Sequence, residues 1–244
     1  LRLSHPYNAD TAINNVLKWI LKEEFDGDSP EIIRAFEAAK KADSPKEIVD
    51  ILKMTPFLPM EAIPNKYMDS SVWNALLPSL GMTALIRNLG NLSKHKVLAK
   101  GQWKTNEYVA SKITDEELLR VSRIHPISVL SALKTYSQGH GTRGHGEWEA
   151  VPEIVDALDK AFYISFENVK PTNKRIVLAL DVSGSMSQGV IAGVPGLTPR
   201  EASAALAMLT YKTEPYSTIT AFASSDKQTE VSPTLGNYRN NDGI

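Results

Sequence analysis

Between Asp10 and Glu167 apolar residues return every third or fourth position. Ile13, Val16, Leu17, Ile20 and Leu21 form one such stripe, the signature of a helix that buries a single face. Start signals recur in the same stretch. Ser29-Pro30 and Ser44-Pro45 each set a capping hydroxyl before a proline at the first helical position, where its missing N–H costs nothing. Ser44 with Glu47, and Thr114 with Glu117, have the spacing of a capping box. Further helices are predicted over Ser71–Leu77, Met82–Leu89, Thr114–Ser122, Pro126–Ser137 and Pro152–Phe166. Short joints bearing Pro or Gly separate them, which predicts antiparallel helices stacked as a solenoid.

The pattern changes after the polar stretch Val169-Lys170-Pro171-Thr172-Asn173-Lys174, which reads as a linker. Arg175 to Leu180 is then a continuous β-branched and aliphatic run, as expected of a strand covered on both faces. A loop rich in Gly and Ser follows, and then a helix opening at Thr198-Pro199-Arg200-Glu201, another capping box. Ala202, Ala204, Ala205 and Ala207 keep that helix slim enough to lie close on a sheet. Ser217 to Phe222 supplies a second strand. Strand, loop, helix and strand open an α/β sheet, in which ligands bind at the carboxyl ends of strands.

Composition narrows the chemistry. With 244 residues and 42% hydrophobic content the chain can bury a core. It has no cysteine, which excludes disulfides and thiolate zinc sites and fits a reducing, cytoplasmic setting. No apolar run approaches the length of a membrane span. The 27 basic residues balance 28 acidic ones, so net charge does not decide whether a basic face meets phosphates. No nucleophile with an adjacent base stands out, and no phosphate loop with lysine occurs, so no catalytic residue and no enzyme activity is expected.

Asp181, Ser183 and Ser185 occupy alternate positions beyond the strand. If the loop curls over the strand end, one carboxylate and two hydroxyls converge, a hard and weakly charged donor set suited to Mg²⁺. A plain turn with an Asp cap is the competing reading. The buried strand before the loop and the Ala-rich helix after it favour metal.

Leu178-Ala179-Leu180-Asp181-Val182-Ser183-Gly184-Ser185-Met186 resembles the first loop of the metal-ion-dependent adhesion site of von Willebrand factor A domains. In that family a threonine and an aspartate from two later loops complete the site. Neither is identifiable in residues 186–244, so Asp181, Ser183 and Ser185 are the ligands to expect here.

The helical part resembles the RNA-binding TROVE domain of the Ro family. The likeness rests on Leu1-Arg2-Leu3-Ser4-His5, on Met82-Thr83-Ala84-Leu85-Ile86-Arg87-Asn88-Leu89-Gly90, and on Arg123-Ile124-His125-Pro126 followed by Gly139-His140-Gly141-Thr142-Arg143-Gly144. These stretches come in family order and lead directly into the A-domain strand. The resemblance implies a helical HEAT-like repeat domain, in its C-terminal part, over residues 1–170. Over 171–244 it implies the start of a Rossmann-like von Willebrand factor A domain. Family members form a ring, bind Y-like RNA and the 3′ ends of misfolded non-coding RNA, and serve RNA quality control by tethering a ribonuclease. An acidic group of a protein partner would complete the metal, and neither membrane nor DNA is an expected partner. His5 matches a histidine that the family uses on Y RNA. The family's ring begins before the segment that Leu1 matches, so a fragment or a split gene is expected.

His140 and Arg143 in the glycine-rich stretch are the other candidate RNA contacts, because glycines let backbone approach a phosphate or a base. A flexible joint with Gly139 as helix cap is the alternative. Lys94-His95-Lys96 reads as a solvated helix end, Arg87 and Asn88 as structural groups satisfying buried partners, and Trp19, Trp73, Trp103 and Trp148 as core or interface anchors. A metal-dependent protein-interaction module with the helices as mere scaffold is the competing function.

Overall fold

The computed structural model describes residues 11–21, 29–141, 146–191, 194, 196–223 and 238–239. The chain divides into two compact units, Leu1–Leu80 and Gly81–Ile244. Among the described residues no helix is long and apolar enough to cross a membrane.

The first unit holds α1 (Thr11–Ile20), α2 (Glu31–Lys41), α3 (Pro45–Met54) and α4 (Ser70–Leu76). α3 begins as expected: the Ser44 hydroxyl accepts from the Glu47 amide at 3.3 Å and donates to its carboxylate at 3.1 Å. α2 does not, since Pro30 itself occupies the cap position and offers no side-chain cap. Ala39, Ile48 and Val72 are fully enclosed where α2, α3 and α4 meet, and Trp73 is buried beside them.

The second unit opens with five helices, α5 (Met82–Lys94), α6 (Trp103–Ile113), α7 (Glu116–Val121), α8 (Pro126–Ser137) and α9 (Pro152–Ile164). α6 packs on α9 and α8 on α9, while α5 lies beside α8. Ser93 near the end of α5 meets Tyr136 near the end of α8, with the oxygens 2.7 Å apart, so these two helices run in the same sense. That is the arrangement of equivalent helices in successive repeats of a solenoid. α7 starts one residue later than the expected Thr114 box. Asp115 caps it through the Leu118 amide at 2.8 Å, while the Thr114 hydroxyl turns back to the Ala110 carbonyl of α6.

Beyond the helices come β1 (Ile176–Asp181), α10 (Pro199–Thr213), β2 (Ser217–Phe222) and β3 (Tyr238–Arg239). β1 and β2 are parallel, in register from Ile176 opposite Ser217 to Asp181 opposite Phe222, with α10 as the crossover. β3, which the sequence pattern did not announce, adds two residues antiparallel to β2. The full capping box at Thr198 and Glu201 starts α10 as predicted. β1 departs from expectation in one respect. Its burial alternates, and Val177 is 71% exposed. Among the described residues α10 covers one face of the sheet, and Val177 and Ala179 on the other face are exposed. An aliphatic run sets strand propensity; the number of covering layers is a separate matter.

Candidate functional site

Asp181 is the last residue of β1, so the strand delivers its carboxylate to the sheet end where the chain leaves for the loop. Its Oδ1 accepts from the Ser183 amide at 2.9 Å. That turn brings Ser183 Oγ within 3.0 Å of Ser185 Oγ. A single 3₁₀ turn, Gly184–Ser187, holds Ser185 in place. Hydrogen bonding from the Ser183 side chain and then its amide holds the Asp181 carboxyl below the usual carboxylate range, so it is anionic at neutral pH. Two oxygens bound side by side on Mg²⁺ stand about 2.9 Å apart, given bonds of about 2.0–2.1 Å at right angles. The Ser183–Ser185 separation therefore fits that ion, as does the chemistry of one carboxylate and two hydroxyls. Among the described residues no group of three His, Cys, Asp or Glu side chains gathers, so a softer, more highly charged donor set is not on offer.

α10 fixes the outer side of this loop. Arg200 Nη2 donates to the carbonyls of Val182 at 3.2 Å and Ser183 at 3.1 Å. The next residue, Glu201, accepts from Lys134 Nζ of α8 at 2.6 Å. Chiefly that lysine, with the Thr198 amide, pulls the Glu201 carboxyl down to about 2. At the far end of α10, buried Glu214 accepts from the amides of Thr172 at 2.7 Å and Asn173 at 3.0 Å. Those amides also hold its carboxyl below the ordinary value.

After α8, residues 139–141 and 146–148 pair as the two arms of a small hairpin. Gly139 takes φ 77°, open to glycine at little cost, and its amide returns to the Tyr136 carbonyl at 3.2 Å. The Trp148 amide donates to the Gly139 carbonyl at 2.8 Å, and the Gly141 amide to the Gly146 carbonyl at 3.1 Å, with His140 opposite Glu147. His140 is exposed, and Gln138 holds its carbonyl at 2.7 Å. His5 and Arg143 lie outside the described residues. Among the described residues the surface cavity at His140 is lined by Gln138, Gly139, His140, Glu147, Trp148 and Glu149, and by none of Asp181, Ser183 and Ser185.

Trp148 closes the base of the hairpin. Its Nε1 donates to the Tyr136 carbonyl at 2.9 Å and its ring stacks on Tyr136 at 6.3 Å between centroids. Gly90 makes room for it, since a Cβ there would lie 2.8 Å from the indole. The Tyr136 hydroxyl, buried, joins Ser93 and the Val151 amide.

Two sequence readings change. Asn88 is structural as expected, donating to the Ala84 carbonyl and accepting from Asn91. Arg87 is not: it is exposed and lines an open cleft between α5 and α8. The signal was present, because Arg87 falls off the stripe of Met82, Leu85, Ile86, Leu89 and Leu92. Trp103 is 71% exposed and so no part of the core. His125, noted only as part of a motif, caps α8 by accepting from the Ile127 amide at 3.2 Å.

The chain is similar to known proteins. Residues 61–138 match the TROVE domain family, and residues 175–236 match the Ro60 vWA domain. The RNA-binding protein RO60 of Deinococcus radiodurans is 40% identical over 239 residues, which is 96% of this chain and 44% of that protein. The chain belongs to the Ro family. The RNA-binding protein RO60 of Caenorhabditis elegans is 37% identical over 214 residues, 87% of this Ro chain and 32% of the nematode protein. The crystal structure of the Deinococcus radiodurans RO (RSR) protein superimposes with a TM-score of 0.84, covering 92% of this Ro chain and 46% of the other. The chain thus spans less than half the length of these relatives, and within that span it runs through both Ro domains.

Proposed function

We propose that this chain is the RNA-binding part of a Ro-type ribonucleoprotein, acting on Y-like and misfolded non-coding RNA without catalysing a reaction. The observation that carries the reading is the likeness, over nearly the whole chain, to two proteins named as RNA-binding. Exposed His140, opposite Glu147 and between Gly139 and Gly141, supports it, since backbone bare of side chains admits the close approach that single-stranded RNA makes. Quality control and tethering of a ribonuclease are the roles we assign to the assembled particle. Asp181, Ser183 and Ser185 would hold Mg²⁺, a Lewis acid with an open position for the acidic group of a protein partner.

The test is fluorescence anisotropy with an RNA carrying a single-stranded 3′ end. Binding should weaken as salt rises and on His5→Ala, His140→Ala or Arg143→Ala. A flat curve to micromolar protein at low salt would sink the RNA reading.

A further inference from the structure

Arg87 of α5 and Trp148 of the hairpin lie on one cleft of about 440 Å³. From α8 the cleft receives Ser128, Ser131 and Thr135, which share one helical face at intervals of three and four residues. From α5, Arg87 and Asn91 face them, one helical turn apart. A turn is about 5.4 Å, a spacing on the scale of one nucleotide. Among the described residues no acidic side chain lines the cleft, and Arg87 is the one charged residue on its wall. Among the described residues the Arg87 side chain makes no hydrogen bond or ion pair. Trp148 is held in place by its bond to the Tyr136 carbonyl and by the space that Gly90 leaves, so it is a fixed ring at the end of the cleft beside Gly141.

These features specify an anionic ligand rich in hydroxyls and carrying a flat ring. We propose that the α5–α8 cleft holds one nucleotide of single-stranded RNA, with a phosphate on Arg87, ribose hydroxyls on the Ser128, Ser131 and Thr135 row, and the base towards Trp148. The proposal rests on the RNA-binding reading above and deepens it. A space of this volume admits a splayed nucleotide, whereas paired bases in a duplex stay stacked inside their helix. Serine and threonine hydroxyls bond a ribose 2′-OH, which separates RNA from DNA of the same sequence. An acidic peptide would satisfy Arg87 but leave the hydroxyl row and the ring without a matching group.

The experiment measures anisotropy of fluorescein-labelled oligouridine and oligoadenosine against the whole chain, as wild type and as Arg87→Ala, Arg87→Lys and Ser131→Leu. Blunt duplex RNA, DNA of the same sequence and AMP serve as competitors. Arg87→Ala should weaken single-stranded RNA about tenfold and lower the slope of log affinity against log salt by about 0.7, the value of one phosphate contact on a single strand. Arg87→Lys should restore that slope, and Ser131→Leu should weaken binding by filling the cleft. RNA containing 4-thiouridine should crosslink to peptides holding Tyr136 or Trp148. Ser131→Leu is checked by thermal melting; should it unfold, exposed Arg87 and the crosslinks decide alone. If wild-type RNA binding is intact while the Arg87 variants and the crosslinks show nothing at the cleft, the cleft proposal is wrong and the RNA reading stands. Absence of any wild-type RNA binding overturns both. Equal competition by duplex, or AMP bound without RNA, also overturns the cleft proposal.

Discussion

Lys134 of α8 reaches Glu201 of α10 at 2.6 Å, and the same carboxylate closes the capping box on Thr198. One side chain therefore joins the helical domain to the first turn of the A-domain helix. Because the Glu201 carboxyl titrates near 2 in the fold against an ordinary 4.5, protonation favours the unfolded chain. The stabilisation is complete above about pH 4.5 and is lost as pH falls towards 2. Both side chains are about a third or more exposed, so solvent screening keeps the bridge to about 0.5–1 kcal/mol. Lys134→Met should lower the melting temperature by about 1–4 °C near neutral pH, and the gap to wild type should close in acid. A gap that is constant with pH would refute the bridge.

Tyr136 is 2% exposed, and its hydroxyl serves both Ser93 and the Val151 amide. Phenylalanine keeps the ring but leaves two buried polar groups unmatched. Tyr136→Phe should cost about 2 kcal/mol, seen as a fall of about 4–8 °C in melting temperature. Ser93→Ala alone should cost less, since the Val151 amide retains its acceptor.

Just beyond α5, Lys96 takes φ 60°, and there the Lys96 amide returns to the Ser93 carbonyl and the Val97 amide to the Leu92 carbonyl. A lysine is strained in this left-handed cap and a glycine is not. Lys96→Gly should stabilise by about 0.5–1 kcal/mol, and Lys96→Asn by a smaller amount. If both lower the melting temperature, the left-handed cap is not what limits this helix end.

Magnesium titrated into the chain should release heat in a single-site isotherm that Asp181→Ala abolishes. Ser183→Ala and Ser185→Ala should each weaken the affinity, having removed one neutral oxygen. Calcium should bind less tightly, because two hydroxyls about 3 Å apart suit the smaller octahedral ion. An isotherm unchanged by Asp181→Ala would assign the metal elsewhere.

Much of this architecture could be read from sequence, and the exceptions have physical causes. Periodicity marked α5, α8 and α9 because an apolar stripe dominates their inward faces, Asn88 and Ser93 of α5 notwithstanding. It did not mark α6, where buried Asn106 takes an inward place beside Val109 and Ile113 and its Nδ2 donates to the Ala99 carbonyl at 3.0 Å. Thr114 and Asp115 compete to cap α7, and a spacing rule cannot tell which oxygen wins. The strand and the turn at Asp181 were legible, because an aliphatic run followed by Gly and Ser residues ends a strand in a turn. The cleft was not, since it needs two helices far apart in sequence, and Arg87 carries meaning only once Ser131 and Thr135 stand across from it.

Residues 169–174 have the composition of a tether, yet Thr172 and Asn173 are tied by their amides to Glu214. α10 is therefore braced at both ends, by Glu201 on α8 and by Glu214 on the entry to β1. A strut held in this way does not swing. A pull on the Asp181 loop, which Arg200 grips from the same helix, would reach the helical repeats as a displacement of the whole strut.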